Sequence, residues 1–384
     1  RDGFDLTDDG GPALTALDEA RYCLHCHKQG KDSCAHGLSG PKPVPQIVPS
    51  AVSSAVSSAV SRVVPIRSDP LAGCPLEERI SEFLFARTQG LPVTALALIM
   101  IENPFCAATG HRICNDCSKA CVFQQQTPVD IPRAETRTLR DVLELPWGFE
   151  IYSLLTRWNP LNLNRPVPRP PTGHKVLVAG LGPAGFTLAH HLMQDGHAVF
   201  AVDGLKLEPL EHQIASEPII EIESLIEPLS KRMPRGFGGV AEYGITVRWD
   251  KNFLTLIRLL LERREGFALA GGVRLGGTIT LDDAFAMGFD HVALATGAGA
   301  PSMIDIPGGL ARGVRTASDF LMALQSTGAA RRDSVANLQI RMPVVVIGGG
   351  LTAIDTATEA GAYYLLHVER FLDREESVSY THLR

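Results

Sequence analysis

The sequence predicts an α/β protein with an all-α, cysteine-bearing front. Three observations carry this. Apolar runs break into glycine turns and then into helices, a second apolar run ends on an acidic residue, and all eight cysteines lie within the first 121 residues. The central stretch is Lys175–Asp203. Val176–Ala179 reads as a buried parallel strand. It breaks into Gly180-Leu-Gly182-Pro183-Ala184-Gly185, a helical pattern follows from Phe186 to Gln194, and Ala198–Val202 leads to Asp203. Gly180 permits the tight turn, Gly182 lets backbone amides approach a pyrophosphate, and Gly185 lets helix and strand pack closely. The helix N-terminus offers free N–H groups to phosphate. Asp203, 18 residues beyond Gly185, stands where a carboxylate takes a ribose hydroxyl. The order strand, turn, helix, strand, acid points to dinucleotide binding.

A chain of 384 residues has room for two or three domains. It is 45% hydrophobic and 20% charged, with a net charge of −6, which gives nucleic acid no basic face. The longest apolar run, Val93–Ile101, is too short to span a bilayer, and no signal peptide opens the sequence, so no membrane partner is expected. Eight cysteines without secretory features point to metal or redox chemistry and a cytoplasmic setting. The chain starts at Arg1 and stops soon after a second glycine motif begins, and is expected to be a fragment.

The cysteines form two groups. One is Cys23-x2-Cys26-x7-Cys34, followed much later by Cys74-Pro75; the other is Cys106-x7-Cys114-x2-Cys117-x3-Cys121. Between them runs a Pro-flanked Ala/Val/Ser-rich insert, residues 41–66, with the composition of a loop. Amphipathic patterns over Pro75–Gln89 and Val93–Glu102 predict helices, placing the cysteines in loops between short helices. Zinc would take four Cys or Cys/His ligands and staple the fold, with His25, His27, His36 and His111 near enough to join. Iron–sulfur clusters would use the same thiolates, and Cys74-Pro75 fits the cluster pattern.

Residues 159–171 are rich in Pro and Asn and mark a stiff connector. The aromatic residues before it, Trp147, Phe149, Tyr152 and Trp158, are expected to pack two domains together. Asn252–Arg264 reads as an amphipathic helix, and Thr280-Leu-Asp-Asp283 as a capping box. Near the end, Pro343–Ile347 reads as another buried strand. It runs into Gly348-Gly349-Gly350-Leu-Thr352-Ala353-Ile-Asp355 and a helix from Thr356 to Tyr363, a second phosphate-cradling pattern.

The cysteine region, the Gly180 motif and the Gly348 motif, in this order, resemble the small subunit of glutamate synthase and the N-terminal half of dihydropyrimidine dehydrogenase. The resemblance runs from about Tyr22 to Leu372 and is looser in cysteine spacing than at the nucleotide motifs. It implies a helical domain with two [4Fe-4S] clusters, residues 1–146, and a linker, 147–172. A Rossmann-type FAD domain at 173–341 and the start of a second Rossmann-type NAD(P)H domain at 342–376 would follow. Ser377–Arg384 matches nothing in the family and is read as a non-native tail. One cluster would be held by Cys23, Cys26, Cys34 and Cys121. The other would be held by Cys74, Cys114 and Cys117 with Glu135, the residue to which Thr127–Ile131 leads, or with Cys106. Beside the flavin would lie Gly239, Tyr243 and Gly244 of the segment Pro234–Ile245, and the strand end Ala295-Thr296-Gly297. The Gly348 motif resembles the family's NADPH-binding GGGxTAxD. The implied activity passes electrons from NAD(P)H through FAD to the clusters and on to a partner subunit or domain; no acid/base pair or nucleophile competes for a catalytic role. The rival class is a zinc-stapled interaction domain joined to a degenerate nucleotide-binding scaffold. As a fragment, the chain is expected to bind pyridine nucleotide poorly.

Overall fold

The computed structural model describes residues 4–6, 11–38, 71–109, 113–229, 231, 237–244, 249–298, 301–336 and 338–382. The insert at 41–66, His111, Pro234–Gly236, Ile245 and the last two residues of the tail lie outside the described residues.

Up to Arg157 the described chain is helical: α1 (Ala13–Tyr22), α2 (Ser33–His36), α3 (Ile80–Thr88), α4 (Pro92–Glu102), α5 (Cys106–Thr109), α6 (Asp116–Lys119), α7 (Ile131–Leu143) and α8 (Gly148–Arg157). The one bridge among these residues joins Leu38 to Leu71. α3 starts later than the pattern from Pro75 suggests because Glu77 adopts a left-handed φ of 54°, which ends any helix there. α7 is set by its start: the Asp130 carboxylate accepts the Arg133 N–H at 3.3 Å, and a proline occupies the first turn, where no N–H is needed.

The second unit opens with β1 (Lys175–Ala179), α9 (Pro183–Gln194) and β2 (Ala198–Asp203). After α10 (His212–Ser216) and α11 (Val240–Tyr243) come α12 (Phe253–Glu262), β3 (Phe267–Gly271), α13 (Leu281–Ala286) and β4 (His291–Leu294). The four strands form one parallel sheet in the order β3-β2-β1-β4, with Val178 paired to Ala201 and Ala293. Alternation along β1 divides its side chains between two cores. Val176 and Val178 face α9 and α12, while Leu177 and Ala179 meet Val202, Ile279 and Ala284 on the other side. The capping box at Thr280 is present: its Oγ1 accepts the Asp283 N–H at 3.1 Å, and Asp283 accepts the Thr280 N–H at 2.9 Å.

One apolar core runs without a break from Ile80, Phe83 and Leu96 of the helical front through Phe149 and Tyr152 to Val178, Phe186 and Leu256 of the sheet unit. Phe149 and Tyr152 are buried in it, as expected of domain-joining aromatics, whereas Trp147 and Trp158 are 47% and 45% exposed. Residues 148–157 are helix, so the irregular connector begins at Trp158.

The last helices, α14 (Ala317–Ser326) and α15 (Leu351–His382), build a small second core around Phe320, Leu324, Leu338 and Tyr363. Here one expectation fails. Pro343–Ile347 is not a buried strand: it has no regular structure, and Val345 and Ile347 are 81% and 64% exposed. A parallel strand needs a neighbour to complete its hydrogen bonds, and no described strand pairs with this run. The helix after it is also longer than expected, continuing past Tyr363 to His382 and so through most of the Ser377–Arg384 tail.

Candidate cofactor sites

Three glycine segments far apart in sequence meet at the C-terminal edge of β1. Gly180 has φ +105°, and a Cβ there would fall inside the Ala295 carbonyl and 3.2 Å from the Thr296 nitrogen. A Cβ on Gly185 would collide with the Gly180 carbonyl, and one on Gly239 would stand 3.1 Å from the Gly182 Cα. Gly180–Gly185, Gly238–Gly239 and Ala295–Thr296 are therefore one construction, each needing the bare backbone of another. Gly182 is the N-cap of α9, with Pro183 and Ala184 in its first turn. The Asp203 carboxylate is 9% exposed and ties the turn down, accepting the Leu181 N–H at 2.8 Å and the Leu205 N–H at 2.9 Å. Thr296 and Gly297 are exposed beside it, Gly297 with φ +73°. Gly244 ends α11, and Tyr243 turns toward the second core.

The cysteines also gather. Cys23, Cys26, Cys34 and Cys121 line one cavity, together with Ser33 and Ser81. Burial pushes the Cys23 thiol up to about 11, with Cys26, Cys121 and Asp32 adding to the effect and the His25 N–H, 3.4 Å from Sγ, opposing it. Burial likewise raises Cys34, whose thiol donates to Asp32 at 2.9 Å, and Cys26. Three thiols that resist ionisation, Cys23, Cys26 and Cys34, beside a fourth in the same cavity suit a cationic group that would reverse that preference.

A second concentration surrounds Glu135. Glu135 is only 8% exposed, not the solvated glutamate its helix would ordinarily carry. Burial holds its carboxyl well above the usual range, and the charge of Glu78 adds to this. Asn103 Nδ2 donates to Glu78 at 2.9 Å and to Glu135 at 3.3 Å. Burial raises the Cys117 thiol, and then Glu135 and Cys74 raise it further; burial raises Cys74, with Glu78 and Glu135 contributing. Burial lifts Cys106 as well, with added effects from Glu135 and Glu78. Cys114 is exposed at the edge, its Sγ 3.8 Å from an Asp116 oxygen. Glu78 and Asn103 escaped the sequence reading because nothing in their neighbours marks a buried carboxylate or amide. Among the described residues no three His, Cys, Asp or Glu side chains converge closely enough to hold a single metal ion.

The two units touch next to these groups. The Phe105 ring, adjacent to Cys106, meets Phe186 of the glycine-motif helix at 5.4 Å and His190 at 5.2 Å. Trp249 Nε1 donates to the Ala107 carbonyl at 2.7 Å, and Arg263 pairs with Glu150 at 2.7 Å. The Gly348 motif stands apart. Built Cβ atoms on Gly349 and Gly350 would meet nothing within 4 Å, Thr352 is exposed, Ala353 half-buried, and Asp355 is 1% exposed.

Residues 174–376, just over half the chain, match the family model described as pyridine nucleotide-disulphide oxidoreductase. The chain belongs to the pyridine nucleotide-disulphide oxidoreductase family. An uncharacterized protein of Rickettsia prowazekii is 56% identical over 69% of this chain and 37% of its own length. The glutamate synthase (NADPH) small chain of Mycobacterium tuberculosis is 30% identical over 74% of this chain and 50% of its own, and that of Bacillus subtilis 28% over 75% and 50%. The chain thus spans half or less of the length of these relatives. Family membership makes this an oxidoreductase scaffold, similar to the glutamate synthase small chain, and implies FAD and a pyridine nucleotide. Among the described residues no helix is long and apolar enough to cross a membrane.

Proposed function

We propose that this chain is the electron-entry part of an NAD(P)H-dependent FAD and iron–sulfur oxidoreductase that hands electrons to a protein partner, as the glutamate synthase relatives suggest. The observation that carries the reading is the single cavity lined by Cys23, Cys26, Cys34 and Cys121, in a body whose core is continuous with the glycine-motif sheet. In this reading those four thiolates hold one [4Fe-4S] cluster. Cys74, Cys114 and Cys117 hold the second with Glu135, whose charge raises both the Cys74 and the Cys117 thiols. Gly180, Gly182 and Gly185 leave room for the FAD pyrophosphate at the start of α9, and Ala295-Thr296-Gly297 and Gly239 leave backbone beside the flavin nucleotide. Gly348–Gly350, Thr352, Ala353 and Asp355 would receive the pyridine nucleotide. Bound flavin and clusters supply hydride and one-electron chemistry; the protein supplies position and the exclusion of water. Phe105, buried against Phe186 and His190 of α9, packs the helical front onto the glycine-motif helix.

Oxygen-free purification decides the matter. Brown protein with flavin bands, iron and acid-labile sulfide in equal amounts, and half of both lost in Cys121→Ser, is expected. Zinc without sulfide would sink the reading and leave the structural-domain alternative.

A further inference from the structure

Ser33 shares the cavity of the four cysteines, and its hydroxyl is in an unusual state. The residue is 8% exposed, and its Oγ is sealed from solvent without a hydrogen-bond partner among the described residues. Ser81, the other hydroxyl in the cavity, is already engaged: its Oγ accepts the His27 N–H at 3.0 Å and bonds the His27 ring at Nδ1. A buried hydroxyl without a partner costs stability, so a sequence that keeps one beside four thiols in a largely apolar cavity is served by something the cavity holds. The local backbone does not call for it. Ser33 opens α2, where Asp32 and not Ser33 stands at the N-cap, and the neighbouring Cys34 thiol is already bonded to Asp32.

We propose that Ser33 is a tuning residue: its hydroxyl donates a hydrogen bond to a sulfur of the cluster held by Cys23, Cys26, Cys34 and Cys121, and so raises that cluster's reduction potential. This rests on the cluster reading above. A cluster becomes more negative when it accepts one electron, so a donor aimed at its sulfurs stabilises the reduced form more than the oxidised form. Ser33 lines the cavity of Cys23, Cys26, Cys34 and Cys121, so its removal is expected to move one of the two potentials.

The test uses the full chain, reconstituted with iron and sulfide without oxygen, in wild-type, Ser33→Ala, Ser33→Thr and Ser81→Ala forms. Iron and sulfide are counted, and both midpoint potentials are followed by EPR-monitored titration. Ser33→Ala is expected to load as wild type and to shift one potential downward by up to a tenfold change in the one-electron equilibrium, about 59 mV. Ser33→Thr keeps the wild-type value. Iron-free Ser33→Ala is expected to melt at or above the wild-type temperature, since it removes a buried group that has no partner. Two unchanged potentials in a fully loaded Ser33→Ala overturn the proposal while the cluster reading stands. A lower Tm of the iron-free variant also overturns it, because the hydroxyl would then be bonded within the protein. Wild-type chain that takes up neither iron nor sulfide overturns both.

Discussion

The glycine turn at Gly180 and the glycine turn at Gly348 have similar sequences and very different surroundings. At the first, a strand enters, a helix leaves, and two other segments lean on the bare backbone, so that Gly180 and Gly185 have no space for a side chain. At the second, the entering run Pro343–Ile347 is unpaired and exposed, and Gly349 and Gly350 border open space. The helices differ in the same way. α9 packs its Phe186, Ala189 and His190 into the main core, while α15 exposes Leu351, Ile354, Leu365 and Phe371. A glycine turn becomes a rigid anion cradle only when a sheet fixes the direction in which its amides point; the motif supplies permission and the neighbours supply geometry.

Substitution at the glycines should expose this difference most strongly. Gly185→Ala forces a methyl into the Gly180 carbonyl, and Gly180→Ala adds a left-handed φ of 105° to a clash with Ala295. Each is expected to cost about 2–5 kcal/mol and to abolish FAD retention. Gly349→Ala meets nothing within 4 Å and is expected to stay within about 0.5 kcal/mol of wild type. Chemical denaturation with flavin quantitation reads both. Equal destabilisation at the two motifs would mean that the second is as firmly built as the first.

Ligand affinity should follow the same order. FAD is expected to bind at least tenfold more tightly than NADH or NADPH in calorimetric titrations of residues 1–384, because only the first turn is held by a sheet. Pyridine nucleotide binding as tight as FAD would break the contrast. Next comes Asp203, whose two oxygens hold the N–H groups of Leu181 and Leu205. Asp203→Ala leaves those buried donors without their acceptor, at about 1–3 kcal/mol and with weaker FAD binding. Asp203→Asn, which keeps one acceptor oxygen, should recover about half of the loss. An alanine variant with wild-type melting would show that the carboxylate does not brace the turn.

What could be read from the sequence divides along this line. The Gly180 unit was legible down to single residues because strand period, glycine spacing, helix and terminal acid all constrain one another locally. The cysteine grouping was legible only through resemblance: nothing in the spacing of Cys34 and Cys121 says that they meet, since 86 intervening residues must fold first. Pro343–Ile347 misled because an apolar β-branched run states a preference, and a strand also needs a partner that a linear pattern cannot supply. β3 was missed for the converse reason: Phe267–Gly271, with two Ala and a Gly, has weak strand character and is strand because β2 offers it a ladder. Ser33 and Glu78 look like surface residues in sequence, and only packing around the cysteines buries them.

The smallest effect expected is one of pH, and it again separates α9 from α15. His190 on α9 is 3% exposed, and burial, with Arg264 and His191 beside it, holds its pKa well below 6.5. Arg264 Nη1 donates to His190 Nδ1 at 3.3 Å, which leaves that nitrogen an acceptor and the ring neutral. In the unfolded chain the same ring protonates near pH 6.5, so below that pH the unfolded state binds more protons. Stability is then lost as pH falls from 6.5, with a slope from this ring of at most about 1.4 kcal/mol per pH unit. His367 on α15 is shifted down too, by burial first, but it is half-exposed and its part should be much smaller. Urea denaturation between pH 7.5 and 5 is expected to show a shallower acid-side loss for His190→Gln than for wild type, and much less of that flattening for His367→Gln. Parallel curves for wild type and His190→Gln would mean that the α9 core opens enough at low pH to hydrate the ring, and that the packing between α9 and Phe105 is weaker than the contrast between the two motifs requires.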